Sequence, residues 1–559
     1  MAKRKKLGDI LVEKGLISQE QLIATLEQQR ASGERLGKAL INSGMVSEQQ
    51  IMLALQQQLG IPYADLDRMR IDPTLEDLVP VNLARRYNLV PVKLEMGALY
   101  VAMDDPMNFI AIEDLRMVTQ LEIKPMVAPL ESILNAIRQL YRNEMAEKAI
   151  EDFKKETGDD QVQEEIGNLN EISNAPIVRL VSSMIEQAVL EQASDIHVEP
   201  SDKNVRVRFR VDGRLMQKMT IPKNAHAAVI TRIKIIGNMD IAERRLPQDG
   251  RLEQQIRGRN VDLRISTLPT VHGEKAVMRI LDRSSFLLPK HELGFTDENM
   301  GRFDELLKNP HGIILVTGPT GSGKSTTLYT MLHELNTLSD NIITVENPVE
   351  FMMEGLNQVQ VNARAGLNFA SALRSILRQD PDIIMIGEIR DQETVQIAIR
   401  AAITGHLVLS TIHTNDAVGT VARLIDMGIE PYMLSAALVG VISQRLLRKL
   451  CPRCAQSVKP DPREMASLGQ AYADITSIKE PVGCSYCNNT GYKGRIAVHE
   501  FLMIDKDFRA MVNKGASVDE LREVAVAQGM KTLGQECVRL LRDGITSLPE
   551  VIRAAYSRI

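Results

Sequence analysis

Gly318, Pro319, Thr320, Gly321, Ser322, Gly323, Lys324 and Ser325 form an unbroken G-x-x-x-x-G-K-S run, with Thr326 leading into a helical stretch. Such a loop suits phosphate chemistry. Its glycines let backbone N–H groups approach an anion, Lys324 offsets β/γ charge, and the Ser325 hydroxyl can ligate Mg²⁺. The apolar run Ile313–Val316 stands directly before it, so the order is strand, loop, helix. A second apolar run, Asp382-Ile-Ile-Met-Ile-Gly-Glu388, ends in a carboxylate that can face the metal shell or polarise a water. ATP with Mg²⁺ is the ligand these residues imply.

Cys451-Pro-Arg-Cys454 and Cys484-Ser-Tyr-Cys487 are two Cys-x-x-Cys pairs, 29 residues apart. Four thiolates suit tetrahedral Zn²⁺, and four protein ligands leave no open position for catalysis. A redox pair would need only one such motif. Cys537 stands apart and is expected to be buried.

A third pattern is an internal repeat over residues 6–58 with an offset of 29. Lys6, Leu7 and Gly8 align with Arg35, Leu36 and Gly37, and Leu22, Leu26 and Gln29 align with Ile51, Leu55 and Gln58. Each unit reads as a short helix, a glycine turn, a serine cap and a second helix.

These groups need a multidomain frame. A chain of 559 residues exceeds one hydrophobic core. The spacing predicts an N-terminal domain over 1–141 (the helical repeat plus an α/β unit with strands near Val90–Lys93 and Leu99–Met103) and a charged linker over 142–175. A lobe follows over 176–290, opened by an amphipathic helix at Pro176, and a second α/β block over 291–559 carries the cysteine insert, 451–487. The composition, 44% hydrophobic and 25% charged with net charge −5, is that of globular protein and gives no support to a nucleic-acid coat. No apolar run reaches the roughly 18 residues needed to span a bilayer. The basic start, Met1–Lys6, leads into an amphipathic pattern where an export signal would be apolar, and a cytoplasmic location is expected.

The P-loop, Thr344-Val-Glu346-Asn347-Pro-Val-Glu350, the strand ending at Glu388 and Gly405-His406…Thr411-Ile-His413-Thr resemble, in that order, the Walker A, Asp box, Walker B and His box of the secretion and pilus ATPases. The resemblance covers roughly 175–559. It implies a multidomain α/β fold with a PAS-like lobe and a RecA-like ATPase domain, and an ATPase working as a hexameric ring against an inner-membrane platform protein. It also implies metal or water handling by Glu346, Glu350 and Glu388, with Asn347 a neutral substitute for the usual aspartate. His406 and His413 would sense the γ-phosphate, and Arg264 and Arg279 would reach the phosphates from the PAS-like lobe. Arg374, Arg378 and Arg390 fall at expected subunit contacts. The tetracysteine insert favours a pilus-extension or type II secretion role over retraction.

The N-terminal repeat resembles the cyclic-di-GMP-binding domain of MSHA-type pilus ATPases. That resemblance implies that the Lys/Arg-Leu-Gly segments meet phosphate, that the apolar positions pack on guanine, and that Gln29 and Gln58 bond polar edges. Lys6 departs from the preferred arginine and lacks its bidentate fork. The expected function is an ATP-driven motor of pilus extension regulated by cyclic-di-GMP. A type II secretion ATPase is the alternative within the superfamily, and a nucleic-acid-translocating ATPase is the alternative outside it, disfavoured by the acidic charge and by the absence of an evident basic, aromatic track.

Overall fold

The computed structural model describes residues 7–32, 36, 40, 43–46, 50, 51, 54, 56, 58, 60–66, 69, 71–141, 176–256, 258–282, 287–461, 463, 465 and 475–555. The expected linker, 142–175, lies outside them. Among the described residues no helix is long and apolar enough to cross a membrane.

The chain divides into two compact units. In the first, the repeat is visible in the packing. Helices Leu7–Glu13 and Gln19–Ser32 open it, and its core contains Leu11 with Leu40, Ile17 with Val46, and Leu22 with Ile51, each pair 29 positions apart. Gly15 and Gly44, also 29 apart, both adopt positive φ (68° and 69°), which closes the same turn twice. The α/β part follows with strands β1 (Leu89–Glu95), β2 (Ala98–Met103) and β3 (Glu122–Val127), ordered β1-β2-β3. Helix Leu130–Leu140 belongs to the same core through Ile133, Ala136 and Ile137.

The second unit starts with helix Pro176–Leu190. An antiparallel sheet follows, made of β4 (Asp195–Pro200), β5 (Asn204–Val211), β6 (Arg214–Pro222), β7 (Gln248–Ile256), β8 (Arg259–Thr270) and β9 (Gly273–Asp282), ordered β6-β5-β4-β9-β8-β7. The nucleotide-type block is a seven-stranded sheet ordered β12-β11-β13-β14-β10-β15-β18. Its strands are β10 (Gly312–Thr317), β11 (Ile342–Glu346), β12 (Asn357–Gln360), β13 (Ile383–Ile386), β14 (Leu407–Ile412), β15 (Leu438–Leu450) and β18 (Tyr492–Met503). The small ladder β16 (Gln456–Val458) and β17 (Ile478–Glu480) lies within the insert.

β10 explains why the run Ile313–Val316 lacks alternation. Ile313 and Leu315 enter one core and Ile314 and Val316 another, so the strand is buried on both faces, as parallel strands between helix layers are. It pairs in parallel with both β14 and β15. Its carboxyl end therefore lies at the sheet edge where open α/β folds bind ligands.

Sequence continuity places the tetracysteine insert in the ATPase block. The structure instead groups Cys451–Gln456 and Pro481–Tyr492 with the N-terminal unit. The physical reason is contact: Ser485 Oγ donates to the Leu66 carbonyl at 2.9 Å, and Arg453 reaches Glu131 at 3.7 Å.

Candidate active site and metal centre

The loop after β10 feeds helix Lys324–Leu335. Lys324 is only 8% exposed, and its Nζ donates to the carbonyls of Gly318 (2.8 Å) and Pro319 (3.1 Å). Burial pulls its pKa down to about 8, partly opposed by the charge of Glu388. Ser325 is exposed in the first helical turn, where a hydroxyl can reach a metal. The Ser322 hydroxyl is buried without a hydrogen-bond partner, an orphan consistent with a ligand oxygen in the cradle. The loop thus fits ATP with Mg²⁺ through its own donors.

Glu388 follows β13 and His413 follows β14. Because β13, β14 and β10 run parallel, their ends converge on one edge. Arg390 Nε lies 2.7 Å and His413 Nε2 3.8 Å from Glu388 Oε2. The His413 pKa is lowered, first by burial and then by the neighbouring Lys324 charge. Lys324, Glu388, His413 and Arg390 therefore form one electrostatic cluster.

Other expected residues fall elsewhere. His406 precedes β14, and Gly312, at the start of β10, donates to its carbonyl at 3.1 Å. In-register parallel pairing makes this the opposite edge of the sheet, so His406 does not join His413. Its Nδ1 lies 3.0 Å from the Ala401 carbonyl. Glu346 is buried at the end of β11, and both its oxygens are engaged, by Tyr329 Oη (2.5 Å), Thr344 Oγ1 (2.7 Å) and Gln358 Nε2 (3.2 Å). These three bonds give Glu346 a structural part, as a shared acceptor that ties helix Lys324–Leu335 and β12 to the end of β11. Glu350 faces Arg264 of β8, with contacts of 3.3 and 2.5 Å. Arg279 of β9 is held by Asp195 at 3.0 Å. Both arginines thus rest on carboxylates, and in this form only Arg264 spans to the P-loop block. Arg374 pairs with Glu393, and Arg378 donates to the Arg374 carbonyl at 2.7 Å.

Sequence reasoning missed Gln444. This β15 residue is 2% exposed; its Nε2 donates to the Ser322 carbonyl at 2.8 Å and its Oε1 accepts from Thr327 Oγ1 at 2.7 Å. A Cβ at Gly323 would come 2.7 Å from Gln444 Nε2, and one at Gly318 would come 2.4 Å from the Gln444 carbonyl. The two glycines thus admit β15 against the loop. The available signal was an amide standing two residues after the apolar run Leu438–Ile442, next to Ser443.

The four cysteines are buried, with Sγ···Sγ separations of 3.7 Å (Cys451–Cys484), 3.8 Å (Cys454–Cys487) and 3.7 Å (Cys484–Cys487). Zinc–thiolate bonds of about 2.3 Å in a tetrahedron require S···S edges of about 3.8 Å. Backbone N–H groups of Gly483, Cys484 and Gly491 point at Cys454 or Cys487 sulfurs at 3.2–3.3 Å, as thiolate charge requires. The residues fit Zn²⁺.

Of the repeat residues named above, Lys6, Arg35, Gly37 and Leu55 lie outside the described residues, as does the Gln29 side chain. Gly8 sits against Leu22, where a Cβ would come within 2.6 Å of its Cδ1. Leu22 and Ile51 are core residues, Leu36 packs at the edge of that core, and Leu26 is exposed.

Residues 170–553 match the Type II/IV secretion system protein family, and residues 59–147 match the MshEN domain, which begins after the repeat. The chain is 45% identical to the type IV pilus assembly ATPase PilB of Thermus thermophilus, covering 98% of this chain and 66% of that protein. It is 44% identical to PilB of Myxococcus xanthus, with 98% of each covered. The type II secretion system ATPase E of Vibrio cholerae is 40% identical over 85% of this chain and 96% of that protein. In fold, the chain is similar to the Yersinia pseudotuberculosis ATPase DotB, with TM-score 0.51, 21% identity, and 68% of this chain and 93% of that one covered. With the family match spanning most of the sequence and a relative aligned from end to end, the chain belongs to the Type II/IV secretion system protein family and is an ATPase.

Proposed function

We propose that this ATPase is the extension motor of a type IV pilus of the MSHA kind, regulated by cyclic-di-GMP at its N-terminal repeat. The observation that carries the pilus reading is end-to-end similarity: the two pilus-assembly relatives align with 98% of this chain, the Vibrio secretion ATPase with 85%. In this reading Lys324 and the loop amides hold the β/γ-phosphates and Ser325 ligates Mg²⁺. Glu388 orients the attacking water, and His413, beside both Lys324 and Glu388, responds to loss of the γ-phosphate. Arg264 leaves Glu350 and Arg279 leaves Asp195 to reach phosphate when the lobes close, since a guanidinium fork binds either anion. The chain works as a hexameric ring at the cytoplasmic face, against an inner-membrane platform protein.

The repeat supports the dinucleotide reading because its two equivalent units match a ligand with two guanines and two phosphates. Turnover of the purified full chain, with and without cyclic-di-GMP, is the direct test. Unchanged ATPase rates together with no binding by calorimetry would return the repeat to a helical docking module. Counting surface pili and secreted substrates in a strain lacking the gene separates the pilus reading from the secretion one.

A further inference from the structure

The two Cys-x-x-Cys knuckles carry contact residues between their ligands. Arg453, preceding Cys454, lies over the Tyr486 ring, 4.1 Å from its centroid, and Tyr486 precedes Cys487. One knuckle therefore stacks on the other through a cation–π contact. The same Arg453 faces Glu131 at 3.7 Å, on the exposed first turn of helix Leu130–Leu140. Ser485, following Cys484, donates to the carbonyl of Leu66, a core residue of the α/β part. Three of the four residues enclosed by the cysteine pairs are thus committed either to the opposite knuckle or to the α/β part.

None of these contacts is strong alone. An exposed ion pair such as Arg453–Glu131 contributes little by itself. Their value depends on being presented together, and it is the four thiolates that fix the knuckles face to face. With the ligands released, Arg453, Ser485 and Tyr486 would sit on two separate flexible turns, and the ordering they now share would be lost.

We propose that the tetracysteine site is a metal-dependent docking platform for residues 61–141 of the same chain. Closed on one ion, the knuckles hold the α/β part at Leu66 and Glu131; opened, they release it. The insert leaves the ATPase sheet at Leu450 and returns at Tyr492, so the platform is tethered to two strands of that sheet, β15 and β18.

Hydrogen exchange on the full chain tests this, with zinc content measured in parallel. Two samples are compared with the zinc-replete protein: the chain stripped by a chelator, and the Arg453→Glu/Ser485→Glu variant, which keeps all four cysteines and sets carboxylates against Glu131 and the Leu66 carbonyl. Both should exchange at least about tenfold faster across 61–66 and 130–140, while helix Lys324–Leu335 stays protected. The variant should retain its zinc. Unchanged exchange at 61–66 and 130–140 in either sample would overturn the proposal. So would equal acceleration at Lys324–Leu335, which would make the metal a general stabiliser of the fold.

Discussion

Lys324 turns its ammonium back onto two loop carbonyls, and phosphate must draw it away. Its pKa of about 8 lies below the ordinary 10.5, so above pH 8 the Lys324 amine of the free site is largely neutral and nucleotide binding must take up a proton from solvent. Nucleotide affinity should fall as pH rises above 8, by up to about tenfold per unit. Calorimetry in two buffers of different ionisation enthalpy will register the proton uptake. The unfolded chain binds more protons between pH 8 and 10.5, so the contribution of this residue to stability rises with pH through that window. Buried Glu346 and partly exposed Glu388 should part company. Glu388→Gln should still bind ATP but lose turnover by at least about a hundredfold, roughly 2.7 kcal/mol. Glu346→Leu should instead lower the Tm, since removing the shared acceptor strands the Tyr329 and Thr344 hydroxyls at a cost of about 1–3 kcal/mol. Wild-type turnover in Glu388→Gln would remove that residue from the mechanism. An unshifted melting curve in Glu346→Leu would do the same for the structural reading of Glu346. Both carboxylates were visible in the sequence, but not the difference between them. What sets Glu346 apart in this structure is Tyr329 and Gln358, donors brought to it by a helix and a neighbouring strand that no local motif announces.

Elements decide which motif residues meet. The P-loop, the apolar strand before it and the acid after β13 were all legible, because continuous apolar runs and glycine spacing are local properties. His406 was not correctly placed, since an offset of seven between two histidines says nothing of direction until the six residues of β14 are known to lie between them, carrying one to each edge. Gln444 was missed for the complementary reason: its partners are 122 and 117 residues away in sequence. It acts on the loop through the Ser322 carbonyl and Thr327 Oγ1, so it is assigned as a positioning residue. Gln444→Ala should raise the nucleotide KM about five- to thirtyfold, the equivalent of one or two lost buried hydrogen bonds at about 1–2 kcal/mol. It should change kcat much less, and Gln444→Glu should recover part of the loss through the Thr327 bond. Steady-state kinetics of the three proteins checks this, and an equal fall in kcat would point to a direct catalytic part.

At the scale of the molecule, the sequence disclosed the order of parts but not the partnership of the cysteine knuckles with the N-terminal unit, which depends on Leu66 and Glu131, residues without any distinguishing pattern. The full chain should hold one Zn²⁺, and Cys484→Ser should impair folding of the insert before it impairs ATP turnover; metal analysis of protein prepared without chelator measures the first and thermal melting the second. Cyclic-di-GMP binding should suffer more from Arg35→Ala than from Lys6→Ala, since only a guanidinium offers two parallel bonds to one phosphate; titration of the full chain compares them. Strand β15 adds a mechanical corollary. It pairs with β10 as far as Ser443 opposite Thr317, and then runs on through Gln444 to Leu450. At about 3.3 Å per residue, that extension measures roughly 23 Å. Glu550 accepts from the Arg448 backbone N–H at 3.1 Å and from its guanidinium at 2.9 Å, and the Leu450 N–H donates to the Ile545 carbonyl, so this length is clamped on its flank and acts as a strut in place of a hinge.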